Sequence, residues 1–155
     1  MKSIREILSG RPPETILSSG SAFEAATRMR DAEVGALLVV DDKGAAVGVF
    51  TERDLMLRVV VPDLDVRSTI MESVMSRDLY TVSPELRINA VASEMQSRHI
   101  RHLPVLENGT VIGMLSLRDL LREHIEIKRS EVQDLTSYIQ GSEGITAADQ
   151  APPSE

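Results

Sequence analysis

The chain has 155 residues, 42% of them hydrophobic, enough for one ordinary domain or two small fused units sharing a core, and this composition sets wholesale disorder aside. A formal net charge of -7 and only 3% aromatic residues argue against a polyanion as the main partner and against stacking platforms for single-stranded nucleic acid. The absence of cysteine removes disulfides, thiol nucleophiles and thiolate metal sites, and fits a reducing, cytoplasmic setting.

The N-terminus, M-K-S-I-R-E-I-L, has no apolar leader core, and the longest apolar run, Val34 to Val40, is too short to span a bilayer. Ile4, Ile7 and Leu8 form a short amphipathic lead-in that stops at Gly10 and Pro12-Pro13. Glu14 to Leu17 reads as a strand and Ser18 to Ser21 as a turn and cap. Phe23, Ala25, Ala26 and Met29 form the buried stripe of a helix ending near Ala32. Ala36 to Val40 is a buried strand, Asp41 to Gly44 a hairpin turn, and Ala46 to Phe50 the return strand, which leads through Thr51 into a helix from Glu52 to about Val60.

Pro62 to Thr69 carries no period and reads as a linker. The order then restarts. Ile70 to Met75 repeats the lead-in, Tyr80 to Val82 the short strand, and Ile88, Val91, Ala92 and Met95 the helix stripe. Leu103 to Leu106, the turn Glu107-Asn108-Gly109 and Val111 to Leu115 repeat the hairpin. The predicted organisation is therefore one unit over 1–61, a linker over 62–69, a second unit over 70–125, a helical extension over 126–140 and a disordered acidic tail over 141–155. Units this small bury too little alone, so the two are expected to pack about a pseudo-twofold axis in an α/β fold.

One stretch recurs most closely: G-V-F-T-E-R-D-L at Gly48 to Leu55 and G-M-L-S-L-R-D-L at Gly113 to Leu120, an offset of 65. A strand delivering Thr51 or Ser116 to the first turn of a helix leaves backbone N–H groups facing outward, which suits a phosphate. The acidic residue three positions on, Asp54 or Asp119, can accept two hydrogen bonds from a vicinal diol such as a ribose. The same spacing resembles a helix capping box, although Glu or Gln is the usual partner and Asp reaches back less well. Capping requires neither the repeated Gly nor the repeated Arg, and the two readings are compatible.

With S-V-M-S-R-D-L-Y-T-V-S-P, R-H-L-P-V at Arg101 to Val105 and the two G-h-h-[S/T]-x-R-D-L stretches in place, the chain resembles a stand-alone CBS-domain pair (named after cystathionine beta-synthase), or Bateman module, over roughly residues 1–125. The resemblance implies a regulatory module, not an enzyme, that binds AMP, ADP, ATP or NAD in clefts between two repeats of helix-strand-helix-strand-strand-helix. It implies that Asp54 and Asp119 hold ribose hydroxyls, that Thr51 and Ser116 contact the α-phosphate, and that Arg53 and Arg118 reach phosphate or the opposing repeat. Ile16 and Leu17 in one unit, and Thr81 and Val82 in the other, match the strand whose backbone reads adenine. Arg101 and His102, opening the strand that contains Pro104, match positions that touch phosphate, and the first repeat has Gly35 and Ala36 instead. Placed at the mouth of the Asp119 cleft, Arg101 and His102 would draw AMP or ATP there first and leave NAD or weak binding to the Asp54 cleft, where Glu52 adjoins Thr51.

Leu121, Ile125, Lys128, Val132, Leu135 and Ile139 fall at coiled-coil spacing on one helix from Leu117 to about Ile139, ended by Gly141. It is expected to contribute to a homodimer. His99 and His102 straddle a helix-to-strand junction without a third ligand, so no metal is expected, and the seven methionines read as core filling. A nucleotide hydrolase lacks a Lys-containing phosphate loop here. A structural or nucleic-acid adaptor with unused sites is the other alternative. No membrane segment is expected, and no catalytic, channel or DNA-binding domain is read in the sequence, so any regulated protein is expected to be met in trans.

Overall fold

The structure, a computed structural model, describes residues 2–143. Helix α1 (Ile4–Leu8) precedes β1 (Thr15–Leu17), α2 (Ala22–Asp31), β2 (Ala36–Val40), β3 (Ala46–Thr51) and α3 (Glu52–Leu55), which widens into a π-helical turn at Met56–Val60. Helix α4 (Met71–Val74) then precedes α5 (Ile88–Ser97), β4 (His102–Glu107), β5 (Thr110–Ser116) and the long α6 (Leu117–Glu143). In the first sheet β1 runs parallel to β2 and β2 antiparallel to β3; β4 and β5 form an antiparallel pair.

The expected strand at Tyr80 to Val82 is reduced to a single parallel bridge between Val82 and Val105. Proline explains the difference. In the first repeat the Leu38 N–H donates to the Glu14 carbonyl at 2.8 Å and extends the ladder. The equivalent residue of the second repeat is Pro104, which has no N–H to give, so Val82 keeps only its bonds to the Pro104 carbonyl and the Leu106 N–H (3.1 and 2.9 Å).

The lead-in helices cross over. α1 buries Ile4 and Leu8 among Val82, Val91, Leu103, Leu115 and Leu120 of the second repeat, whereas α4 buries Met71 and Val74 among Ile16, Leu37, Phe50 and Val59 of the first. Backbone bonds fix the exchange: Ile4 N–H to Leu86 O (3.2 Å) on one side, Met71 N–H to Gly20 O (2.8 Å) on the other. The repeated glycines make room for it. A Cβ on Gly48 would lie 2.6 Å from Met75 Sδ and 2.8 Å from the Ser76 carbonyl, and one on Gly113 would lie 2.7 Å from a Leu8 methyl. The Gly of the duplicated stretch thus lets the opposite lead-in pass against the strand.

A third cluster joins the repeats: Ala36, Leu38 and Val49 from the first, with Val111 and Met114 from β5. β2 therefore buries both faces, with Leu37 and Val39 in the first core, which is why it reads as an unbroken apolar run. Both hairpins turn through a glycine at positive φ, Gly44 (80°) and Gly109 (79°).

Three further expectations need correction. Phe23 is 41% exposed, its ring covered by the Arg67 guanidinium at 4.0 Å, and Ala22 takes its place in the core beside Ala25 and Met29. The helix after Thr51 is not uniformly α; its second half has the wider π spacing, with Val61 N–H bonded to Met56 O. Gly141 does not end the long helix, which runs through it to Glu143, since a single glycine costs a helix only about 1 kcal/mol. The predicted tail beyond it, residues 144–155, lies outside the described residues.

Candidate functional site

Thr51 ends β3 in extended conformation and caps α3. Asp54 Oδ2 accepts hydrogen bonds from the Thr51 N–H (2.9 Å) and hydroxyl (3.0 Å), while Thr51 Oγ1 accepts from the Asp54 N–H (3.1 Å). Ser116 and Asp119 repeat the arrangement at 2.9, 2.5 and 3.2 Å. Asp therefore closes a complete capping box at both helices, with backbone bonds of 2.9 Å against 2.7 Å in the Glu6 and Glu24 boxes. The first-turn amides are also less available than expected: Glu52 N–H donates to Gly35 O (3.1 Å) and Leu117 N–H to Arg101 O (2.8 Å). What each box leaves toward the outside is one carboxylate oxygen and its neighbours.

Those neighbours differ. Asp54 lines a cavity of about 260 Å³ between the repeats. The first repeat contributes Gly35, Val49, Thr51, Glu52 and Arg53; the stretch after α4 contributes Ser76, Asp78 and Tyr80; the second repeat contributes the run from His99 to Pro104. Val49, Tyr80, Ile100, Leu103 and Pro104 contribute apolar lining, while Thr51, Arg53, Asp54 and Arg101 contribute polar and charged groups. A Cβ on Gly35 would meet the His102 ring at 3.0 Å and a Glu52 carboxylate oxygen at 3.3 Å, so glycine there lets the imidazole enter.

Arg101 and His102 thus line the cavity with Asp54, while the Arg101 carbonyl also accepts from Leu117 in the Asp119 cap and the Asp119 charge reaches His102. The reason is topological: the start of β4 faces the opposite repeat's helix cap. Burial lowers the His102 pKa, against Glu52 and Asp119, which raise it; Arg101 and Arg118 add to the lowering. Burial works to raise the Asp119 carboxyl, but the Ser116 hydroxyl and amide, followed by Arg11, outweigh it and hold the group below its ordinary value.

Of the other predicted site residues, Ile16 and Val82 put their side chains in the two cores, and Val82 spends both backbone polar groups on β4. Leu17 is exposed at the end of β1, Thr81 follows Tyr80 without lining the cavity, Ala36 is buried at the repeat junction, and Arg118 lies on the surface beside the Ser116–Asp119 cap. Of the residues that line the cavity, Val49, Ser76, Asp78, Tyr80, His99, Ile100 and Leu103 were not among the predicted site residues. Only the lead-in exchange brings Ser76 and Asp78 there, and no local spacing signals it. Among the described residues no group of three or more His, Asp or Glu is placed to hold a metal ion.

The CBS-domain family model matches residues 4–61 and 71–126. The chain belongs to the CBS-domain family. Its two matched segments are the repeats described above. It is 34% identical over 125 residues to the mitochondrial CBS domain-containing protein CBSX3 of Arabidopsis thaliana, covering 78% of this chain and 61% of that one. Over 119 residues it is 32% identical to the uncharacterized protein MK0525 of Methanopyrus kandleri, covering 76% and 58%. The chain therefore spans about three fifths of these relatives' length. Among solved structures, a protein with CBS domains from Burkholderia ambifaria superposes with a TM-score of 0.77 at 32% identity, over 81% of this chain and 95% of that one. The CBS domain pair of MJ0100, in complex with 5'-methylthioadenosine and S-adenosyl-L-methionine, superposes with a TM-score of 0.70 at 27% identity, over 79% and 99%. No helix among the described residues is long and apolar enough to cross a membrane.

Proposed function

We propose that this CBS-domain pair is a regulatory module that binds an adenine mononucleotide in the cavity between its repeats and signals to a partner protein in trans. The observation that carries the reading is the composition of that cavity. The Asp54 carboxylate, with one oxygen outside its cap, lines the cavity together with Arg101, His102 and apolar side chains, and with Glu52 and Asp78. A purine fits the wall of Val49, Tyr80, Ile100 and Pro104, a ribose diol the Asp54 oxygen, and a phosphate Arg101, Arg53 and a protonated His102. The volume, just below the roughly 300 Å³ at which ordinary ligand clefts begin, favours AMP over a dinucleotide such as NAD. The adenosine compounds bound by the MJ0100 domain pair support the same ligand class.

The module is further proposed to act as a homodimer. Met56 and Val60 after α3, and Leu121 and Ile125 at the equivalent positions of α6, are all more than half exposed and form matching apolar stripes on the two closing helices.

The ligand class is tested by calorimetry with AMP and 2'-deoxy-AMP. AMP is expected to bind more tightly than its deoxy form, and Asp54→Ala to weaken AMP by about tenfold to a hundredfold, the value of a charge-assisted hydrogen bond. Equal affinity for both ligands rejects the ribose role of Asp54. Phosphate release from ATP above background would instead point to an enzyme.

A further inference from the structure

Asp54 and Asp119 hold equivalent places, yet their outward oxygens have different partners. Asp54 Oδ1 is 3.5 Å from Arg58 Nε, while Arg58 Nη1 donates to the carbonyls of Val74 and Met75 (3.1 and 2.9 Å), so that guanidinium is anchored elsewhere. Asp119 Oδ1 instead accepts directly from Arg11 Nη2 at 3.0 Å, across 108 residues of sequence. Arg11 is held in place by its own Nε–H, which donates to the Leu8 carbonyl at 3.2 Å.

The difference begins in the chain. From Leu8 to Thr15 the first lead-in is one residue longer than its counterpart from Met75 to Thr81. The extra length is taken up in a left-handed turn at Ser9 and Gly10 (φ 51° and 73°), which brings the Arg11 N–H to the Leu8 carbonyl at 3.0 Å and aims the side chain at the opposite repeat's cap. In the shorter counterpart Arg77 turns back to the Glu72 carbonyl (3.1 Å), and Asp78, not a guanidinium, faces the cavity.

We propose that Arg11 closes the Asp119 site by occupying the carboxylate oxygen that a ribose would use, so that each chain takes one nucleotide, at Asp54. With Oδ2 committed to Ser116 and Oδ1 to Arg11, a diol reaches Asp119 only by displacing a charged donor from a carboxylate whose side chain is 10% exposed. The inference rests on the nucleotide reading above. It reverses the sequence-based expectation that Asp119 is filled first.

The test is calorimetric titration of AMP into the full chain and into Arg11→Ala and Arg11→Gln variants, paired with an NMR pH titration of the Asp119 carboxyl that involves no nucleotide. Arg11 is 58% exposed at its side chain, so the variants leave both cores untouched. Wild type is expected to bind one AMP per chain. Both variants are expected to bind two, with affinity at the second site raised tenfold or more, and to shift the Asp119 titration upward. Two AMP per wild-type chain, or an Asp119 titration unmoved by the substitutions, would overturn the proposal while leaving nucleotide binding at Asp54 intact. No heat from any of the three proteins with AMP, ATP or NAD, despite a shifted Asp119, would sink the nucleotide reading and the proposed closure with it.

Discussion

Burial lowers the pKa of His102, and charges of both signs act on it as well, Glu52 and Asp119 raising it and Arg101 and Arg118 lowering it. The ring is therefore mainly neutral at neutral pH, and a bound phosphate would favour its charged form. Binding of AMP should then take up a proton, so affinity rises as pH falls from above the ordinary imidazole value toward it. Binding of adenosine, which lacks the phosphate, should not follow pH in this way, and His102→Ala should flatten the AMP profile. The ligand-free protein behaves oppositely. Because the unfolded histidine takes a proton more readily than the buried one, stability contributed by neutral His102 is present above the unfolded value and is lost as pH falls from there through the folded value. An AMP affinity that is flat or falls over this range would contradict the placement of His102 beside the phosphate.

At the scale of elements, the hydrophobic periods located nearly every helix and strand, and the misses have local causes. Pro104 removes the N–H that would extend the second short strand, and Arg67 shields a phenylalanine that the stripe of α2 places inside. The exchange of α1 and α4 was not legible, because Ile4, Leu8, Met71 and Val74 are equally suited to either core; the two tight glycines become informative only once the partner segments are known. The apolar face of α6 was legible from its spacing, and Leu121, Ile125, Val132 and Leu135 are all exposed along it. If that face is an intermolecular seam, Leu135→Glu places a charge in an apolar contact and should lower the dimer mass in light scattering, with AMP binding retained. A variant that stays fully dimeric on dilution would assign association to the closing helices of the repeats alone.

For the whole molecule, the duplication predicted two related sites but not how each is completed. Internal symmetry of the sequence pairs Gly35 with Arg101 and Ala36 with His102, yet it carries no information on which repeat's aspartate shares their cavity; the packing of the two repeats puts them with Asp54. One cleft is proposed to draw its carboxylate from the first repeat and its phosphate-binding guanidinium from the second. The most direct measurement is the AMP affinity of Asp54→Ala, Arg101→Ala and Asp119→Ala, each compared with wild type by calorimetry. Loss of the same binding event by about tenfold or more in both Asp54→Ala and Arg101→Ala, with Asp119→Ala binding as wild type does, is the predicted result. Joint loss in Arg101→Ala and Asp119→Ala, with Asp54→Ala unaffected, would contradict it.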